Sequence, residues 1–217
     1  SLEFAEKISK SGTQPIIGTQ INFKYGETIG LLPLYSLNEE GYKKIIELSS
    51  LSYLKNDELS EPHLDFGDLL VENNGVALFS GTVNGLFGKL FDKGKFTEID
   101  ELYSKLKLRY QDRFYIEIQR HGDQNETSFE NFNLAQSSKL EIPIIATNEV
   151  FYINKDMHEA HDALICIKEK TYINEKHRVR FSDQHYLKNN SEMSELFDDL
   201  PEALENNYNF PFRCNFR

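Results

Sequence analysis

The chain has 217 residues, 39% of them hydrophobic, and a net charge of −11. This length allows one good-sized domain with its own core, and the acidic balance disfavours a domain that holds DNA through a basic face of its own. No apolar run approaches the roughly 20 residues that cross a bilayer and no secretory leader is visible, so we expect a cytoplasmic protein without a membrane partner.

Strands and helices are expected to alternate along the chain. Residues 14–23 and 30–37 are apolar and rich in β-branched side chains, which predicts two strands. Helical spacing of apolar residues follows Asn38, a suitable N-cap, and predicts a helix to residue 54. The later predicted elements are a short helix at 65–75, strands at 76–81, 113–119 and 142–148, and helices at 95–110 (capped by Thr97), 126–140, 155–167, 191–198 and 201–208.

This order of elements predicts an α/β domain with a largely parallel sheet. The chain starts with a helical stretch, residues 2–12, that no strand precedes. A parallel α/β domain that starts in this way lacks its first βα unit. We therefore expect a strand edge that is left open or irregular, and an open edge promotes self-association.

The segment IPIIATNEVFYIN, residues 142–154, joins a buried apolar strand to polar residues. Asn148 and Glu149 stand where the strand ends, and α/β barrels keep their active sites at the carboxyl ends of their strands. The strand in EIQRHG likewise ends close to His121, a candidate metal ligand that needs partners such as Glu149. Gln20, which we place at the end of the first strand, is a poor partner because a neutral amide binds a catalytic ion weakly.

Other motifs have a structural and a functional interpretation. HEAHD places His158 and His161 one residue closer than the zinc-protease motif requires, which favours a packing role over metal binding. The glycines of SGTVNGLFG, at 81, 85 and 88, do not have dinucleotide-fold spacing, so a tight turn is favoured over a phosphate cradle. The basic run 168–180 is typical of a solvated loop, with a phosphate or partner contact as the alternative. Cys166 and Cys214 have no ligand spacing and are expected to be reduced thiols.

Six segments, in this order, are similar to the PHP (polymerase and histidinol phosphatase) domain of bacterial DNA polymerase III alpha subunits. They are QPIIGTQINF, LNEEGYKKIIELSSLSYL, FSGTVNG, DRFYIEIQRHG, IPIIATNEVFYINKDMHEAHDALICI and SEMSELFDDLPEALENN. The resemblance implies an incomplete, distorted (β/α)7 barrel. It also implies a single domain over residues 1–217 whose carboxyl end leads toward the polymerase core.

The resemblance also implies which residues stand at the family's metal site. In metal-binding members the motif similar to ATNEVF reads A-T-N-D-x-H, and here Glu149 and Phe151 replace the Asp and the His. Gln20 stands where such members carry a Glu, and only His121 is kept. The expected site is therefore degenerate and without catalytic residues, with His121 and Glu149 as weak candidate metal ligands.

The implied function is that of a structural and docking domain within a replicative DNA polymerase, a nucleotidyltransferase. We expect this fragment to be inactive and without a cofactor, with magnesium serving the parent polymerase. The expected partners are the proofreading exonuclease subunit and other polymerase III holoenzyme subunits, with DNA contacted through the parent protein only. The alternative is a metal-dependent phosphoesterase or 3′–5′ proofreading nuclease with ions at the barrel mouth.

Overall fold

A computed structural model describes residues 2–57, 60–71 and 73–215. Residues 1, 58, 59, 72, 216 and 217, which the predicted domain of 1–217 includes, lie outside the described parts. The strands are β1 (Gly18–Tyr25), β2 (Thr28–Ser36), β3 (Leu64–Asp65), β4 (Val76–Phe79), β5 (Phe114–Ile118) and β6 (Ile144–Ala146). The helices are α1 (Leu2–Lys10), α2 (Glu39–Leu54), α3 (Leu86–Asp92), α4 (Phe96–Tyr110), α5 (Glu126–Leu140), α6 (His158–Glu169), α7 (Asn190–Leu196) and α8 (Pro201–Asn209).

The described strands form one sheet in the order β3-β1-β2-β4-β5-β6. β2 is antiparallel to both of its neighbours, whereas all the other pairs are parallel, so five strands point the same way. The predicted α/β fold with a largely parallel sheet is therefore confirmed, and closure into a (β/α)7 barrel stays a prediction. β1 and β2 form a hairpin around Gly26, whose φ of 57° suits glycine in a tight turn.

Core packing fills both faces of this sheet. On one face the main core packs the strands against α2, α3 and α4, with Phe87, Tyr103 and Tyr110 among its largest buried side chains. On the other face Phe79 and Tyr115 pack against Phe210 near the end of the chain. Burial on both faces explains why β4 is apolar throughout and β5 is apolar except for Glu117, rather than alternating.

The edge of the sheet at β6 is covered. The side-chain amides of Asn206 and Asn207, on α8, donate to the backbone carbonyls of Ile144 and Ala146. These are alternate carbonyls of β6, so the helix satisfies the acceptors that an additional strand would use. The expected open edge is therefore not found at β6. The opposite edge is β3, which is only two residues long.

The sheet brings polar loops to one edge. β4, β5 and β6 are parallel, so the segments that follow them, 80–85, 119–125 and 147–151, leave from the same side. Gln20 was predicted at the end of the first strand, but it is only the third residue of β1. It pairs with Pro33 of β2, and the β2 residues that pair with β4 begin directly after Pro33. Because the hairpin projects beyond β4, Gln20 still lies at this edge. None of the described helices is long and apolar enough to span a membrane.

Candidate functional site

An open cavity of about 790 Å³ lies at the carboxyl edge of the sheet. Three of the four predicted site residues line it, namely Gln20, Glu149 and Phe151. Its other walls come from the loop after β4, from residues 123–125 and from residues 178–181. The three residues therefore lie together, as expected for strand ends, although Gln20 in β1 and the loop after β6 are far apart in sequence.

His121, the fourth predicted residue, lies outside this cavity and is only 2% exposed. Its ring stacks on that of His185, with centroids 4.0 Å apart and planes 7° apart. Its Nε2 is 3.0 Å from Oδ1 of Asn148. The Asn148 amide nitrogen donates to the backbone oxygen of Tyr186, so its oxygen faces His121 and the imidazole donates from Nε2. Asn148 thus fixes the tautomer of His121.

The charged form of His121 is disfavoured. Burial, followed by the nearby His185, lowers the pKa of His121 to about 4. The same burial lowers the pKa of His185. The backbone amide of His121 is held by the Glu126 carboxylate at 2.8 Å, which fixes the turn after β5. Both rings are therefore neutral at pH 7 and serve as packed planar surfaces.

Phe151 extends this stack toward the cavity. Its ring lies 4.8 Å from that of His185 and 5.2 Å from that of His161, and it also contacts Phe181. His158 Nε2 lies 3.0 Å from the carbonyl oxygen of Phe181, a group that only accepts. The two histidines of HEAHD are thus used in packing α6 against the loop that carries Phe181.

Glu117 is a buried carboxylate that the sequence reasoning missed. It lies in β5, is 5% exposed and receives hydrogen bonds from Thr147 and Gln119. Its Oε2 has no hydrogen-bond partner among the described residues. Burial, with a smaller contribution from the nearby Glu149, raises the pKa of Glu117 to about 7 against the hydrogen bonds from Thr147 and Gln119. A single acid inside the otherwise apolar FYIEI was the available signal.

Glu149 lies between the large cavity and the pocket next to Glu117. Burial, with Asp123 nearby, raises the pKa of Glu149 above its ordinary value. The two glutamates and Asp123 therefore place three carboxyl groups at this edge of the sheet, and burial favours the protonated form of both glutamates. In the described parts of the chain, no three His, Cys, Asp or Glu side chains are grouped so that they could hold a metal ion.

The glycines after β4 serve close packing. A Cβ on Gly88 would lie 1.9 Å from the backbone oxygen of Val83, and one on Gly85 would lie 2.9 Å from that of Leu31. Glycine is needed at these two positions because α3 packs closely against the loop before it and against β2, which leaves no room for a side chain. The favoured interpretation, a tight turn with close helix packing, agrees with this geometry.

Two arginines of the basic run 168–180 form hydrogen bonds within the protein. Arg178 makes two hydrogen bonds to the carboxylate of Asp162 on α6, and Arg180 donates to backbone oxygens of Ile173 and Glu175. Both arginines line the cavity. Cys166 and Cys214 are free and buried, and burial raises the pKa of the Cys214 thiol to about 11.

Comparison with known proteins places the chain among relatives of one kind. It is 34% identical over 224 residues to the DNA polymerase III subunit alpha of Caulobacter vibrioides, which covers 100% of this chain and 20% of that protein. It is 37% identical over 217 residues to the subunit of the same name from Rickettsia bellii, covering 100% of this chain and 18% of that protein. For Vibrio cholerae the identity is 30%, over 99% of this chain and 19% of the relative.

The chain thus spans about a fifth of the length of these curated relatives. The family model for the PHP domain matches residues 1–121, which is more than half of the chain and includes Gln20, Glu117 and His121. The α/β sheet with its polar carboxyl edge is consistent with that match. On this match the chain belongs to the PHP domain family.

Proposed function

We propose that this chain is the PHP domain of a cytoplasmic replicative DNA polymerase and that its metal site is degenerate. Its role would be to stabilise the polymerase and to dock other subunits, whereas the parent protein carries out magnesium-dependent DNA synthesis. The shared name of the relatives supports the first part of this proposal. The observation that carries the second part is the Phe151 ring, which stacks between His185 and His161.

Counting ligands supports the loss of hydrolytic activity. A catalytic zinc site uses about three protein ligands and an open position, and a two-metal site needs more. At the positions named here Gln20 offers a neutral amide, Phe151 offers only carbon, and His121 is sealed behind the stack. Of these four residues, only Glu149 combines a carboxylate with access to the cavity. The residues at the family site therefore do not fit a catalytic metal cluster.

Docking of the proofreading exonuclease subunit, and of other holoenzyme subunits, is the positive part of the proposal. The net charge of −11 and the lack of a basic stripe support contacts with proteins rather than direct contact with DNA. Co-purification of the parent alpha subunit with the exonuclease subunit tests this role. Binding that persists with the isolated domain supports the proposal, whereas binding that is unchanged when the domain is deleted from the parent contradicts it.

A metal-dependent phosphoesterase or proofreading nuclease remains the second candidate, favoured by the acids at the cavity. Glu149 and Asp123 both line it, and Glu117 lies behind them. Hydrolysis of a phosphomonoester and of DNA 3′ ends, assayed with manganese or zinc, separates the two candidates. We expect no turnover. Turnover that His121→Ala abolishes, while Phe212→Ala at an exposed site leaves it unchanged, would establish the second candidate instead.

A further inference from the structure

Exposed apolar side chains are concentrated in one segment of the chain. Among the described residues, 21 large hydrophobic side chains are exposed, and ten of them lie between residues 150 and 187. This segment is less than a fifth of the chain, so the concentration is well above an even distribution. Large exposed apolar patches mark interaction sites more often than chance.

Helix α6 carries a regularly spaced row of these exposed apolar side chains. Met157, the N-cap of α6, and Ala160, Leu164 and Ile167 within the helix are all exposed and are spaced three, four and three residues apart. That spacing forms one stripe along a helix and is the pattern with which two helices interlock in a coiled coil. The opposite side of α6 faces the protein, where His161 stacks on Phe151 and Cys166 is buried. The stripe therefore points outward.

The stripe is complementary to itself when it is reversed. In an antiparallel pair of α6 helices, Met157 would lie opposite Ile167 and Ala160 opposite Leu164. The small Ala160 would thus face the large Leu164 twice, which lets side chains interdigitate without overlap. Two-fold symmetric dimers require self-complementarity of this kind.

The charges at the two ends of α6 are complementary in the same arrangement. Asp156 and Glu159 stand at its start, and Lys168 and Lys170 stand at its end, all of them exposed. Within the described residues, neither Asp156 nor Lys170 has an ion-pair partner in its own chain. Antiparallel pairing brings the acidic start of one helix beside the basic end of the other, and it also sets the two helix dipoles in opposite directions.

We propose that α6 pairs antiparallel with α6 of a second copy of this chain, forming a two-fold symmetric dimer. Exposed Ile153 and Tyr172, just before and after the helix, enlarge the contact. One helix pair is smaller than a standard interface of about 1,600 Å², so the expected dissociation constant is on the order of tens of micromolar. This dimer goes beyond the proposed docking function and does not use a strand edge.

Sedimentation velocity over a concentration series, at about 0.15 M salt, tests the pairing. At this ionic strength the repulsion between two acidic bodies is screened beyond about 8 Å. We expect a monomer–dimer equilibrium that Leu164→Lys weakens at least tenfold. The matched control is Leu108→Lys on α4, also highly exposed, which should leave the equilibrium unchanged. A chain that stays monomeric at several hundred micromolar (about ten times the expected constant), or a dimer that Leu164→Lys does not weaken, overturns the proposal.

A charge exchange tests the antiparallel arrangement itself. One variant carries Asp156→Lys and Glu159→Lys, and the other carries Lys168→Glu and Lys170→Glu. Each variant alone should lose the dimer, because like charges would then face each other. An equimolar mixture should restore it, since one helix is now basic at both ends and the other is acidic at both ends. Circular dichroism confirms that both variants fold, and failure of the mixture to associate overturns the proposal.

Discussion

The rings of Phe151 and His185 lie nearly parallel, with centroids 4.8 Å apart and planes 25° apart. On the far side of His185 lies the buried ring of His121, and on the far side of Phe151 lies that of His161. Four rings from four different segments thus form one continuous stack. It joins the ends of β5 and β6 to α6 and to the loop that carries His185.

Removing the Phe151 ring should loosen this stack. We expect Phe151→Ala to lower the free energy of unfolding by about 1–2 kcal/mol, less than for a fully buried phenylalanine because Phe151 is 37% exposed. Phe151→Leu keeps most of the apolar volume and should lose about half as much. Urea denaturation measures both values. A loss near zero for Phe151→Leu would show that the aromatic stacking contributes nothing beyond apolar volume.

Glu117 should make stability depend on pH near neutrality. Its pKa is raised by burial to about 7 in the folded state, against its ordinary value of 4.5. Its contribution is therefore fully present below pH 4.5 and is lost as the pH rises through 7. The lowered pKa of His121 acts in the opposite sense, with stability lost as the pH falls from 6.5 toward 4.

The variant Glu117→Gln isolates the first of these effects. Its stability relative to the parent chain should increase between pH 5 and pH 7 and then level off, by at most about 3 kcal/mol. Chemical denaturation at a series of pH values measures the difference. A flat difference for Glu117→Gln would contradict the neutral, buried state of this acid.

Arg120 should hold the last helices to the sheet. Its guanidinium bonds Glu130 on α5 and Asp199 before α8, and it lies over the ring of Phe197 at 4.8 Å. The hydrogen bond to Asp199 raises the pKa of Arg120 most, followed by the hydrogen bond to Glu130. Because Arg120 is about one-fifth exposed, we expect Arg120→Ala to cost about 2 kcal/mol, below the value for a fully buried pair.

The control for this prediction is an exposed ion pair. Lys155 lies 3.0 Å from Asp183, and both side chains are about half exposed. Lys155→Ala should therefore change stability by less than about 0.5 kcal/mol. Thermal unfolding of both variants compares the two pairs directly. Similar losses at the two sites would mean that the Arg120 network has no special role.

The domain on its own should bind DNA weakly. The net charge of −11 repels phosphates, and the arginines at the cavity are held by Asp162 or by backbone oxygens. We expect a dissociation constant weaker than about 1 µM for single-stranded or duplex DNA near physiological salt. Fluorescence anisotropy measures it, and tighter binding that falls steeply with salt would contradict this expectation.

Sequence patterns predicted the long elements well because their periodicity is local. Residues 126–140 form α5 with the predicted bounds, and Asn38 caps α2 through the amide of Gly41. The predicted cap Thr97 is wrong, since α4 begins at Phe96 with Lys95 as its N-cap. Short elements were missed: α3 has seven residues and β3 has two, too few for a periodic pattern to show in the sequence.

The candidate site was predictable only in part, for a related reason. Residues at strand ends can be placed at one edge from the order of elements alone, and this located Glu149 and Phe151 correctly beside Gln20. His185 lies in a loop without periodicity, so its position between His121 and Phe151 depends on the tertiary fold. Burial of Glu117 likewise follows from packing on both faces of β5.

Metal content is the most direct test of the degenerate site. The domain, with the rest of its parent protein, would be dialysed against manganese and zinc and then against metal-free buffer before elemental emission analysis. We predict well under one ion per chain at the domain, because in the proposed degenerate site Phe151 and Gln20 offer neither an imidazole nor a carboxylate. Two or more tightly held ions, lost on His121→Ala and confirmed by anomalous scattering within about 4 Å of each other, would contradict the account.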